Sequence, residues 1–267
     1  MKIAEWVVQG KQSDPLLCED ALVLRPQFAA VIDGVTSKGG RLWQGRSSGR
    51  YASECLARAL NSEEAAGMNS VQLFAYLDRC LRESWMGETL ETQELPRASV
   101  IVYNERFRQV WSYGDCQCLI NGVLHSHSKP VDRLAADLRA FVLEYERLQG
   151  KTEEALFAED PGRAAIGPLL RMQLAFENHP GPWGYPVLNG QGICPEMIAV
   201  YPVQPGDEVI LASDGYPMLL NTLEKSEQAL ARLLQEDPHC CRTNRSTKGK
   251  AVDAVSYDDR CYCHILA

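Results

Sequence analysis

Short apolar runs that end or begin in acids constrain this chain more than any other feature. Phe28–Ile32 runs into Asp33-Gly34, and Glu208–Ala212 runs into Ser213-Asp214-Gly215. Asp258-Asp259 open the run Cys261–Leu266, Glu19-Asp20 precede Ala21–Leu24, and Gly114-Asp115 interrupt the stretch from Trp111 to Ile120. Runs of this length and composition read as buried strands. Taken singly, an Asp-Gly after a strand is an ordinary turn signal. Together, the acidic ends place several carboxylates in one small volume if the strand ends converge. Such groups raise one another's pKa and resist ionising together. Hard divalent ions such as Mg²⁺ or Mn²⁺ resolve that repulsion, because oxygen-only ligand sets suit them. A glycine after Asp33 leaves the Gly34 carbonyl accessible as a further ligand.

The remaining pattern alternates helices with strands. Ser47–Leu60 and Val71–Trp85 carry apolar residues at helical spacing, with a polar connection over Asn61–Asn69. Ala98–Tyr103 and Gln109–Tyr113 form a hairpin, and Asn121-Gly122 suits a type I′ turn between Gln117–Ile120 and Val123-Leu124. Val131–Gln149 is helical, with Leu134, Leu138, Phe141, Val142 and Tyr145 in register, and Lys225–Gln235 is a shorter helix. The Gly- and Pro-rich stretch from Glu159 to Gly192 reads as an irregular, flap-like segment, and Asp237–Lys250 as a polar loop. No linker divides the chain, so residues 1–267 read as a single α/β domain.

Composition narrows the function classes. The 267 residues carry a formal charge of −8, which argues against nucleic acid or an anionic membrane surface as partner. No apolar run approaches the roughly 18 residues of a spanning helix. Met1–Val8, broken by Glu5, is too short for a signal peptide, so a cytoplasmic location is expected. Ten cysteines without a CxxC read as small core hydrophobes in a reducing compartment. Cys116/Cys118 and Cys261/Cys263 each share one strand face. His125 and His127 read as an exposed hairpin end and His264 as a sheet residue. The glycines around Gly39-Gly40 and Gly45–Gly49 fit no nucleotide-binding pattern and shape the entry to the Ser47 helix.

In order along the chain, Cys18-Glu19-Asp20, Val31-Ile32-Asp33-Gly34 followed by Gly39-Gly40, Gly114-Asp115-Cys116, Leu211-Ala212-Ser213-Asp214-Gly215 and Asp258-Asp259 resemble the motifs of the metal-dependent, type 2C protein Ser/Thr phosphatases, the PPM family. The resemblance implies an α+β fold, a central β-sandwich of two antiparallel sheets flanked by helices in four αββα layers. It implies a binuclear Mg²⁺ or Mn²⁺ site and, with it, hydrolysis of phosphoserine or phosphothreonine in proteins by a metal-activated water. By that likeness Asp33 bridges both metals, the Gly34 carbonyl binds one, and Asp214 and Asp258 complete the other. Glu19 and Asp20 hold metal-bound waters, and Asp115 serves a third, looser ion.

Two departures concern substrate handling. The histidine that usually follows the Asp-Gly of this family is replaced by Val35-Thr36-Ser37, leaving the general acid unassigned. The phosphate-clamping arginine is replaced by Pro15, with Lys11 and Arg25 as alternative substitutes. The rival expectations are an attenuated, phosphatase-like regulatory or phosphoprotein-binding module and a hydrolase of small phosphorylated metabolites.

Overall fold

A computed structural model describes residues 1–267. Ten strands form two antiparallel five-stranded sheets. The first has the order β1 (Lys2–Gln9), β10 (Arg260–Leu266), β9 (Glu208–Ala212), β6 (Gln117–Ile120), β7 (Val123–His125). The second has the order β2 (Ala21–Arg25), β3 (Phe28–Val35), β4 (Arg97–Asn104), β5 (Gln109–Tyr113), β8 (Ala199–Pro202). Helices α1 (Ser48–Leu60) and α2 (Ser70–Trp85) cover the outside of the second sheet, and α6 (Leu223–Glu236) lies beside the first. This is the α+β sandwich expected from the sequence motifs.

The alternation of side chains along β3 and β4 explains the sandwich. Ala29 and Val31 of β3, with Ile101 and Tyr103 of β4, point between the sheets and meet Cys118, Val209, Leu211, Cys261, Cys263 and Ile265 from the other sheet. Phe28, Ala30 and Ile32, with Val100 and Val102, point outward and pack under Leu56, Leu60, Phe74 and Leu77 of α1 and α2. Strands buried on both faces read as unbroken apolar runs, as these do. All ten cysteines are free, eight of them buried, and the two i, i+2 pairs fill the inter-sheet core as expected.

Strand β3 continues through Asp33 and Gly34, which pair with Ser99 and Ala98, so no turn follows Ile32. The Asn121-Gly122 turn has both residues at positive φ, as a type I′ hairpin requires. Strand β1 and the short edge strand β8 were not anticipated. β1 mixes apolar with charged residues because its faces are unevenly covered, which leaves Trp6 exposed.

The stretch from Glu159 to Gly192 is only partly irregular. Its first half is helix α5 (Pro161–Met172), which packs against α3 (Pro130–Leu148), while α4 (Glu153–Ala158) precedes it. Asp160 caps α5 by accepting the Arg163 N–H at 2.7 Å, and Pro161 occupies the first helical position. Gly and Pro mark the start of a helix here rather than its absence. Gly162 is required because a Cβ there would meet the Arg139 backbone of α3. Helix α3 turns its small face inward, with Ala135 against Ile166 and Leu170, and Ala140 and Leu143 against Leu156 and Cys241. Its larger apolar residues, Leu134, Leu138, Phe141, Tyr145 and Leu148, are exposed.

Candidate metal and phosphate site

The alternation that builds the core also builds the site. Asp33 shares the inward-facing row of Ala29 and Val31, so at the end of that row the space between the sheets changes from apolar to acidic. Asp20 enters from the start of β2, Asp214 from the end of β9, Asp258 and Asp259 from the approach to β10, and Asp115 from the turn between β5 and β6. These acids lie close enough to perturb one another: Asp214, Asp20, Asp115 and Asp258 all act on Asp33. Burial first, and then these neighbouring charges, push the Asp33 carboxyl well above the usual carboxylate range. Burial likewise raises Asp20, partly offset by a hydrogen bond from Ser213. Asp214 opens to the cavity and is pushed up to about 7, by desolvation and then by Asp258 and Asp115.

Glycine at position 34 is set by close approach. A Cβ there would collide with the backbone of Gly49, at the start of α1, and with the Glu19 carbonyl. Gly215 is fixed the same way, because a Cβ there would strike the Asp259 carbonyl. Two strand ends and a helix start are thereby drawn together at the acid cluster.

Side-chain partners divide the acids by role. Asp259 is saturated: it accepts the Lys11 backbone N–H at 2.8 Å, the Lys11 Nζ at 2.9 Å and the Glu19 N–H at 3.3 Å. It braces the site and has little left to offer a ligand. Glu19 accepts from Lys11 Nζ at 3.3 Å and from the Thr36 hydroxyl through Oε2, leaving Oε1 buried without a partner. Asp20 Oδ2 is also buried and unpartnered. The Asp33 and Asp214 carboxylates form no hydrogen bond or ion pair with protein groups. Asp258 meets Lys248, and Asp115 accepts from Ser99 and from Lys129 Nζ at 2.5 Å. Burial raises Asp115, but the Lys129 charge and these hydrogen bonds carry it below its ordinary value.

No group of three or more His, Cys, Asp or Glu side chains is arranged to hold a metal ion in this structure. The donor chemistry nevertheless fits a hard divalent ion: every candidate is an oxygen, and two carboxylate oxygens are buried without partners.

The acids Glu19, Asp33, Asp115, Asp214 and Asp258, with Gly34, line a cavity of about 740 Å³. Its walls come from α3, α5, the 237–250 loop and the segment after α5. Arg97 and Glu177 form a buried ion pair of 2.5 Å, and Glu177 also accepts from Tyr185 and Asn189 at 3.1 and 2.9 Å. That network ties residues 177–189 to β4. Of the two alternatives for a phosphate clamp, Lys11 stands among the acids, whereas Arg25 binds the Asn61 carbonyl and Glu63 on the outer surface. No histidine lines the cavity. Lys38, Lys129, Arg163 and Lys248 do line it. Sequence reasoning missed them because nothing local to a lysine on a polar loop marks it as facing a site.

No protein-family model matches the chain, and no curated protein sequence matches it. The fold is the type 2C phosphatase fold. Serine/threonine phosphatase Stp1 from Staphylococcus aureus superposes with a TM-score of 0.50 at 11% identity, over 100% of this chain and 96% of that one. The serine/threonine phosphatase PstP/Ppp of Mycobacterium tuberculosis aligns with a TM-score of 0.49 at 15% identity, over 98% of each chain.

Proposed function

We propose that this chain is a metal-dependent phosphomonoester hydrolase of the PPM type, acting on phosphoserine or phosphothreonine in proteins. The observation that carries the reading is the set of carboxylates, several without protein partners, gathered at one end of the sandwich in a cavity also lined by cations. In this reading Asp33, Asp214, Asp258 and the Gly34 carbonyl would hold two Mg²⁺ or Mn²⁺ ions, Glu19 and Asp20 would accept from water beside them, and Asp115 would serve a third ion. When bound, such ions supply Lewis-acid polarisation of the phosphoryl group and activation of water. The chain's own residues then position and neutralise. Lys11 fixes Glu19 and Asp259, while Lys129 and Lys248 bring positive charge to the cavity wall. The free cysteines and the lack of any helix long and apolar enough to cross a membrane are compatible with work in the cytoplasm, as part of phosphorylation signalling.

A second reading, a phosphoprotein-binding module with attenuated turnover, draws on the absence of a cavity histidine and on the ammonium groups paired with Asp115 and Asp258. One experiment decides between them. Hydrolysis of p-nitrophenyl phosphate and of a phosphoserine peptide is measured with Mn²⁺ and Mg²⁺ for wild type, Asp33→Asn and Asp214→Asn, alongside Mn²⁺ calorimetry. Metal-dependent turnover that falls at least a hundredfold in both variants is the expected result. Mn²⁺ binding without turnover selects the binding module, and absence of both refutes the metal site.

A further inference from the structure

Two half-buried cations on the cavity wall are left without a bonded carboxylate. Lys129 and Lys248 are paired with Asp115 and Asp258. Lys38 and Arg163 also line the cavity, yet neither makes an ion pair with a carboxylate. The only hydrogen bond of the Lys38 ammonium is to the Thr36 carbonyl at 3.2 Å, and the Arg163 side chain bonds only the Thr247 carbonyl at 2.8 Å. Both are half-buried. Arg163, Lys248 and Lys129 all act on Lys38 as repelling neighbours, and burial adds to their effect. Asp132, in the first turn of α3, faces both, and Asp160 and Asp258 also act on Arg163, but none of the three bonds the Lys38 or Arg163 side chain. Like charges held together, half-desolvated and without bonded counter-charges, are unfavourable unless an anion completes them.

The arrangement is built rather than accidental. Arg163 is held at the start of α5 by the Asp160 cap, and its bond to Thr247 joins α5 to the 237–250 loop. That loop is itself pinned by Asp237, which accepts the N–H groups of Cys241, Arg242 and Thr243. Arg139, fully buried in α3, donates to the Cys240 and Ser246 carbonyls on either side.

We propose that Lys38 and Arg163 form a second anion subsite in the cavity, and that the preferred substrate carries another phosphate or carboxylate close to the phosphate that is hydrolysed. The proposal rests on the phosphatase reading for its substrate but not for the subsite itself, and the two can be tested apart.

In the first arm, calorimetry in EDTA measures binding of inorganic pyrophosphate and orthophosphate to wild type, Lys38→Gln, Arg163→Gln, Arg163→Lys and the surface control Arg25→Gln. Wild type binds pyrophosphate more tightly than orthophosphate. Lys38→Gln and Arg163→Gln each lose about tenfold or more in pyrophosphate affinity, the range for a charge-assisted hydrogen bond. Arg163→Lys recovers part of the loss, and Arg25→Gln matches wild type. Since Lys38 bonds only one carbonyl, its replacement leaves the fold intact. In the second arm, with Mn²⁺, kcat/KM is compared for a monophosphorylated peptide, the same peptide with a flanking Glu, its diphosphorylated form, and a small bisphosphate ester. A preference for the doubly anionic substrates that shrinks in Lys38→Gln supports the subsite, and whichever of the peptide or the small ester is preferred identifies its source. Unchanged pyrophosphate affinity in both glutamine variants overturns the subsite, even where p-nitrophenyl phosphate is still hydrolysed. Loss of pyrophosphate affinity in a protein that hydrolyses nothing supports the subsite and refutes the phosphatase reading instead.

Discussion

Removing the Arg139 guanidinium tests whether the cavity wall is a rigid part of the fold. The side chain is completely buried, yet it lies at a junction of three elements. Nε donates to Asp160 Oδ2 at 2.9 Å, and Nη2 lies 2.7 Å from the same oxygen. Nη1 donates to the Cys240 and Ser246 carbonyls at 3.2 and 3.0 Å. Arg139→Met keeps most of the volume and removes every one of these bonds. The Cys240 carbonyl still receives the Ser246 N–H, and Asp160 still caps α5, so part of the network survives. The Ser246 carbonyl and the second Asp160 oxygen are left unsatisfied. Asp160 is a quarter exposed, so water takes up part of its charge, and two acceptors left without their partner cost about 2–4 kcal/mol together. At about 2–4 °C per kcal/mol for a chain of this size class, the melting temperature falls by roughly 4–16 °C. Calorimetric melting of the purified variant reads this directly, and limited trypsin digestion reads its location. The variant is cut faster at Arg242, Arg245 and Lys248, in the loop that Arg139 secures, before global unfolding. A melting temperature within about 3 °C of wild type, with an unchanged digestion pattern, refutes the view that Arg139 braces the wall.

Two further outcomes follow from the site geometry. Gly34→Ala places a Cβ against the Gly49 backbone and the Glu19 carbonyl; overpacking of about 1–3 kcal/mol lowers the melting temperature by roughly 2–12 °C, and Mn²⁺ affinity by calorimetry falls with it, whereas normal values for both refute the close-approach argument. Burial and the neighbouring cations lower Lys38 to about 8, so its charge is present below that pH and is lost as pH rises through it, two pH units or more before a free lysine. Sulfate, whose own charge is constant in this range, therefore binds the EDTA-treated protein more weakly at pH 9 than at pH 7. The cavity acids Asp33 and Asp214 also gain charge over this range, so the Lys38 share is the part of the loss that Lys38→Gln lacks, and an equal loss in both proteins removes Lys38 from the subsite.

How much of this was legible in the sequence depended on whether the signal was local. The acids were visible because each sits at the end of an apolar strand: once Phe28–Ile32 is a strand buried on both faces, Asp33 is fixed on the same face as Ala29 and Val31. Asp214 and Asp258 do not extend the inward rows of Val209 and Leu211 or of Cys261 and Cys263, so only their place at strand ends marked them. That place could not separate Asp258 from Asp259, since adjacent acids at a strand start look alike. That separation depends on Lys11, which reaches Asp259 from the far end of the chain and saturates it. Helix α5 was hidden for a related reason. Pro161, Gly162, Gly167 and Pro168 read as loop residues, although Asp160-Pro161 is also a helix start, and Gly162 answers to the Arg139 backbone on α3, a tertiary demand. Helix α3 shows the limit most clearly. Its large apolar residues recur at helical spacing and identify the helix correctly, but they face outward, because close packing against α5 needs the alanines of the opposite side. Periodicity fixes that a helix exists and which residues share a face. Which face turns inward is decided by the partner's shape. Apart from Lys11, the cations fall on the illegible side, since Lys38, Arg163 and Lys248 come from three distant segments and none differs locally from a solvated surface charge. Their meaning lies in their convergence on one cavity, which only the folded chain displays.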